Sequence, residues 1–166
     1  WGFLSPMLAE NDGWALFTDC DVFARENIDP IFDLAERNPD KALFCVHHNH
    51  QVVEGALKMD GQIQGNYGRK NWSSVMLLNG DHPSNDNLTV DLLNEVPGRD
   101  LHRFCWLKDE EIGELDLKYN WLVGASPNGI SPAIFHYTEG GPWLKMYQDC
   151  EYAEEWRTAL ATWALV

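Results

Sequence analysis

The chain has 166 residues, 45% of them hydrophobic, and a formal net charge of −14. That length and composition suit one domain with a sizeable core and are unlike those of a disordered chain. So acidic a surface repels nucleic acid and anionic membranes, and no apolar run is long enough to span a bilayer, so no nucleic-acid partner and no membrane span are expected.

In chain order, residues 14 to 18 (WALFT) read as a buried strand. It ends in Asp19-Cys20-Asp21, two carboxylates with one residue between them. Asn27 or Asp29 followed by Pro30 marks a helix start, and Ile31, Phe32, Leu34 and Ala35 give that helix an apolar face. Lys41 to Val46 reads as a second strand, and the Gly-rich stretch from Met59 to Arg69 as a loop. Ser73 to Leu78 is a third strand, closed by Asn79-Gly80. Asn87 is placed to cap a helix through Val96, with Leu88, Leu92 and Val96 on one face. Ala133 to Tyr137 is a short strand. Tyr152 to Leu165 reads as an amphipathic helix with Trp156, Leu160 and Trp163 on one side. Strands interleaved with helices give an α/β domain, a mixed sheet flanked by helices.

The four cysteines, Cys20, Cys45, Cys105 and Cys150, form no CxxC pair and read as reduced thiols of a cytoplasmic protein. His47-His48-Asn49-His50 places two imidazoles at i, i+2 but has no carboxylate or cysteine at fitting spacing, so a loop near the site is favoured over a transition-metal centre.

The aspartate pair carries the chemistry. In a strand, residues at i and i+2 point the same way, and two carboxylates side by side repel unless a cation sits between them. Oxygen ligands suit a hard ion, Mn²⁺ or Mg²⁺. An acidic turn that merely closes a strand is the plainer alternative.

Four segments sharpen the choice. The run GWALFTDCDV resembles the strand and DxD segment of GT-A fold nucleotide-sugar glycosyltransferases. Residues 71 to 79 (NWSSVMLLN) resemble the asparagine-serine segment of glycosyltransferase family 8. Residues 117 to 121 (LKYNW) resemble that family's L-P-x-x-Y/F-N-W segment, with Lys118 in place of its proline. Residues 136 to 143 (HYTEGGPW) resemble its H-F-x-G-x-x-K-P-W segment. The order matches the family's, over residues 13 to 143.

The resemblance implies a reduced GT-A-like domain, residues 1–166, shortened at its N-terminus: only 18 residues precede Asp19. It implies Asp19, Asp21 and His136 as ligands of a divalent cation that bridges the diphosphate of a sugar nucleotide, UDP-linked by expectation. It implies transfer of a hexose to an acceptor hydroxyl of a glycan or other molecule, with retention favoured. Lys70, Asn71, Ser73, Ser74, Gly140, Gly141 and Trp143 are the expected donor-binding residues. Asp109 and Glu110 occupy the place of the family's Asp-Gln pair beside the transferred sugar and are the catalytic candidates. Gly141 stands where the family has a lysine before Pro-Trp, leaving Lys145 or Lys70 to meet the diphosphate. Trp121 is a further candidate for sugar contact.

Rival readings are a non-catalytic sugar-nucleotide or carbohydrate-binding relic, a metal-dependent phosphoesterase, and a structural fragment. A sheet lacking strands would expose an edge that a second copy could pair with, which admits a homodimer.

Overall fold

The computed structural model describes residues 2–48, 69 and 72–164. A short helix α1 (Ser5–Leu8) precedes strand β1 (Trp14–Thr18) and, after the two aspartates, β2 (Val22–Ala24). Helix α2 (Asp29–Glu36) leads to β3 (Leu43–Val46), and β4 (Val75–Asn79) follows. Helices α3 (Val90–Glu95) and α4 (Gly98–Leu101) precede β5 (Ile112–Leu115), β6 (Trp121–Leu122) and β7 (Ile134–His136). Helix α5 (Ala153–Trp163) is the last element.

Two sheets result. The larger has the order β1-β4-β3-β5. In it β4 runs antiparallel to both β1 and β3, while β3 and β5 are parallel. The smaller has the order β2-β7-β6. Strands β3 and β4 are apolar at almost every position and buried throughout, the pattern of a sheet covered on both faces. Alternation sorts their side chains. Leu43, Cys45, Met76 and Leu78 enter one core with Phe3, Leu88, Leu101, Phe104 and Leu107. Phe44, Val46, Val75 and Leu77 enter the other, with Ile31 and Ala35 of α2 and Ile134 of β7. A third cluster, Trp121, Val123, Phe135 and Tyr137, belongs to the small sheet and takes up Trp156 of α5.

Pro30 lies in the first turn of α2, where its missing N–H leaves no bond unmade. Asn27 accepts the Asp29 N–H at 3.0 Å, turning the chain into the helix, while Ile28 occupies the cap position. The helix expected from Asn87 starts two residues later. Thr89 is the cap, its hydroxyl accepting the Leu92 N–H at 3.2 Å, and Asn87 ends a preceding 3-10 turn. Pro97 follows directly after Val96 and stops α3.

The apolar face expected on the last helix is only partly used. Trp156 packs inward, but Leu160 is 51% and Trp163 83% exposed. Leu165, the expected end of that helix, and most of the loop expected from Met59 to Arg69 lie outside the described residues, as do Asn49 and His50. Strands β2, β5 and β6 were not anticipated. Among the described residues, no helix is long and apolar enough to cross a membrane.

Candidate metal and donor site

The aspartate pair sits where the two sheets meet. The Asp19 N–H donates to the Ser74 carbonyl at 2.8 Å, which carries the β1–β4 ladder one residue past Thr18. Asp21 belongs to the small sheet instead. Its carbonyl accepts the Tyr137 N–H at 3.0 Å, and Val22 pairs with His136. Cys20 is thus the single-residue link between the end of one sheet and the start of the other.

This crossing brings three side chains together. Asp19, Asp21 and His136 each offer a ligand atom, and these atoms lie within 4.8 Å of one another. His136 Nε2 is 3.2 Å from Asp21 Oδ1. The imidazole is buried, at 5% exposure, and its Nδ1 meets no hydrogen-bond partner among the described residues. Both carboxylates remain accessible to solvent. Burial raises the Asp19 carboxyl above its ordinary value; His136 opposes this and Asp21 adds to it. Burial also pushes Asp21 up, but its bond to His136, the charge of that ring and its own backbone N–H outweigh burial, so Asp21 lies below its ordinary value. Two neighbouring carboxylates and one imidazole suit a hard or borderline divalent ion.

The other expected residues are placed less uniformly. The Ser73 hydroxyl is 2.6 Å from His102 Nδ1. The Ser74 hydroxyl accepts Asn120 Nδ2 at 2.8 Å. Both serines are buried. Lys70 and Asn71 lie outside the described residues. Gly140 has φ +140°, and a Cβ there would come within 2.6 Å of the Tyr147 ring. A Cβ on Gly141 would come within 2.1 Å of the Trp143 ring. Both glycines are therefore required by packing of this chain against itself. Trp143 is 46% exposed, with one edge against Tyr137 and a tilted contact to Trp156. Lys145 is exposed in the turn that follows. Trp121 is 2% exposed and bonds the Pro127 carbonyl, so it is a core residue and presents no face to a sugar.

Asp109 and Glu110 are not brought to this group. They occupy the turn before β5, whose first residue pairs with the first residue of β3. Strands β1, β3 and β5 all run the same way, so the turn before β5 is at the end of the sheet opposite Asp19. It is also three strand spacings across, roughly 14 Å. Asp109 is highly exposed and paired with Arg69, and the Glu110 carbonyl accepts Lys41 Nζ at 2.8 Å. Of the two described histidines of the His47–His50 run, His47 stacks on Trp72 at 4.0 Å.

Sequence reasoning assigned no task to Asn120. It is fully buried and bonded to Ser74. The Y-N-W segment was the available signal, since a buried asparagine between two aromatics must find a partner.

No family model matches the chain. It is 42% identical over 160 residues to Protein CDI of Arabidopsis thaliana, an alignment covering 93% of this chain and 60% of that protein. The chain therefore spans about three-fifths of the length of this relative. Among solved structures it resembles the crystal structure of an active-site mutant of LgtC, with a TM-score of 0.51 and 18% identity, over 90% of this chain and 61% of that one. At that identity the likeness speaks to the fold: a mixed α/β, GT-A glycosyltransferase-like domain, as the sequence led one to expect.

Proposed function

We propose that this chain carries the cation- and diphosphate-binding part of a nucleotide-sugar glycosyltransferase. The observation behind this reading is the convergence of Asp19, Asp21 and His136 within 4.8 Å at the carboxyl end of β1, on a glycosyltransferase-like fold. Open α/β sheets take their ligands at that end.

In this reading Asp19, Asp21 and His136 hold Mn²⁺ or Mg²⁺. When bound, the cation offsets the negative charge that grows on the departing nucleoside diphosphate. The remaining work falls to the protein. Backbone pairing of Asp21 with Tyr137 fixes one carboxylate beside the imidazole. Burial of His136 keeps its ring in place and excludes water from that side. The exposed face of Trp143 is available for stacking against a sugar ring. The donor is a UDP-linked hexose and the acceptor a hydroxyl of a glycan or other molecule. Retention at the anomeric carbon is the favoured outcome, as the resemblance to glycosyltransferase family 8 implies.

A second reading, a sugar-nucleotide-binding relic without turnover, is favoured by two observations. Asp109 and Glu110 stand at the far end of the sheet, and Gly141 replaces the family's lysine.

Calorimetric titration of Mn²⁺ with and without UDP, on wild type and Asp19→Ala/Asp21→Ala, tests the site. UDP binding that needs Mn²⁺ and vanishes in the double variant is the expected result; no binding in wild type rejects both readings. Release of UDP from UDP-hexoses then separates them, an enzyme turning over and a relic only binding.

A further inference from the structure

Two of the three converging side chains are tied to each other by the small sheet. His136 lies in β7, and Asp21 is fixed to that strand by the Tyr137 N–H and the Val22–His136 pairing. Asp19 is tied instead to the large sheet, through the carbonyl of Ser74. The group can persist only if the rim of the large sheet is held in register with the small one. Cys20 joins them covalently, but one residue in a turn leaves several backbone torsions free.

Asn120 supplies the second tie. It immediately precedes β6, whose Leu122 pairs with His136 and whose neighbour Val123 donates to the His136 carbonyl at 3.0 Å. Its backbone is therefore part of the frame that carries the imidazole. Its side chain leaves that frame. Asn120 Nδ2 donates at 2.8 Å to the hydroxyl of Ser74, the same residue whose carbonyl receives Asp19. Asn120 is 0% and Ser74 3% exposed. A bond so placed has no water to exchange with, and breaking it strands a buried polar group.

We propose that Asn120 is a positioning residue that acts through Ser74 to hold the Asp19 carboxylate in register with Asp21 and His136. Its effect on cation affinity rests on the cation reading above; its hold on Asp19 does not. Partners one step removed from metal ligands typically change affinity by about 10–100-fold when removed.

The test uses Asn120→Ala, Ser74→Ala and the double variant, with two readouts. The first is hydrogen exchange at the Asp19 amide, with the amides of β3 as internal control. The second is Mn²⁺ affinity by calorimetry. The expected result is faster exchange at Asp19 against unchanged β3, and about tenfold or more weaker Mn²⁺ binding. The losses in the double variant should be less than additive, because the two single variants remove the bond they share. Ser74→Ala, the smaller change, carries the test if Asn120→Ala does not fold. Unchanged Asp19 exchange in a folded variant overturns the inference. So does faster exchange with unaltered Mn²⁺ affinity, or full additivity of the two losses. Wild type that binds no Mn²⁺ overturns the cation reading instead, and the exchange result alone then decides whether Asn120 holds Asp19.

Discussion

Two acidic pairs occupy opposite ends of the same four-stranded sheet. Asp19 and Asp21 follow the carboxyl end of β1; Asp109 and Glu110 precede the amino end of β5. Their formal charge is the same, yet their surroundings are not. The first pair is partly buried, and its carboxyls are displaced in opposite directions around a shared imidazole. The second is exposed, and Asp109 already has Arg69 as its counter-ion. A carboxylate pair becomes a candidate cation site through the strand end it occupies and the partner that reaches it.

The comparison can be broken at either end. The largest effect is expected from His136→Ala or Asp19→Ala, which should weaken Mn²⁺ binding on the order of 100-fold or more, beyond what loss of an outer partner does. Calorimetry measures it, and binding within a few-fold of wild type would reject the three-residue site. Next comes Gly113→Ala at the β3–β5 end. A Cβ there would stand 2.2 Å from the Phe44 ring, so a stability loss of about 1–3 kcal/mol is expected from overpacking. Urea unfolding reads this loss, and Mn²⁺ affinity measured on the same folded variant should stay unchanged.

Asp109→Ala with Glu110→Ala should do less. Exposed pairs contribute about 1 kcal/mol at most, so stability should barely move and Mn²⁺ affinity should hold. A marked loss of cation binding would show that the two ends are coupled after all.

The smallest effect concerns Glu111, beside that second pair. The Ser84 hydroxyl at 2.6 Å, and then the Lys108 N–H at 2.7 Å, hold its carboxyl below the ordinary 4.5. A depressed carboxyl contributes stability above its unfolded value and loses it as pH falls through the folded one. Glu111→Gln should therefore be slightly less stable than wild type at pH near 7, and the gap should close as pH drops below 4.5. Urea midpoints across that range check the sign.

The strands legible in the sequence were those with continuous apolar runs, β1, β3 and β4. In β3 and β4 the run reflects burial on both faces. Strand β1, expected to be buried, stands at the end of the sheet order and is only half-buried, with Thr18 exposed. Strands β2, β5 and β6 are two to four residues long, and Gly113 and Glu114 interrupt β5, so no period could reveal them. Thr89 outcompeted Asn87 as a cap because Pro83 starts a separate 3-10 turn that uses Asn87 locally, its Nδ2 bonding the Ser84 carbonyl. The convergence of Asp19, Asp21 and His136 could be proposed from motif order but not from spacing, since it depends on β2 pairing with β7. Nor does motif order say at which end of β5 a turn will fall, so the place of Asp109 and Glu110 relative to that group was not legible either. Trp121 illustrates a different limit, for an aromatic in a motif reads alike whether it faces a ligand or a core.

The antiparallel pairing of β2 with β7 also bears on how the molecule comes into being. Arg25 and the Pro132 carbonyl, beside that pairing, are separated by 107 positions in the chain. Contacts so distant close slowly, because the intervening chain must first surrender its freedom. The larger sheet can organise around β1, β3 and β4 before the imidazole arrives. Asp19 is then set early at the rim of the large sheet, and the small sheet brings Asp21 and His136 to it together. The proposed cation-binding arrangement is thus expected to be completed late in folding, and Mn²⁺ present during refolding should bind only after the small sheet has closed.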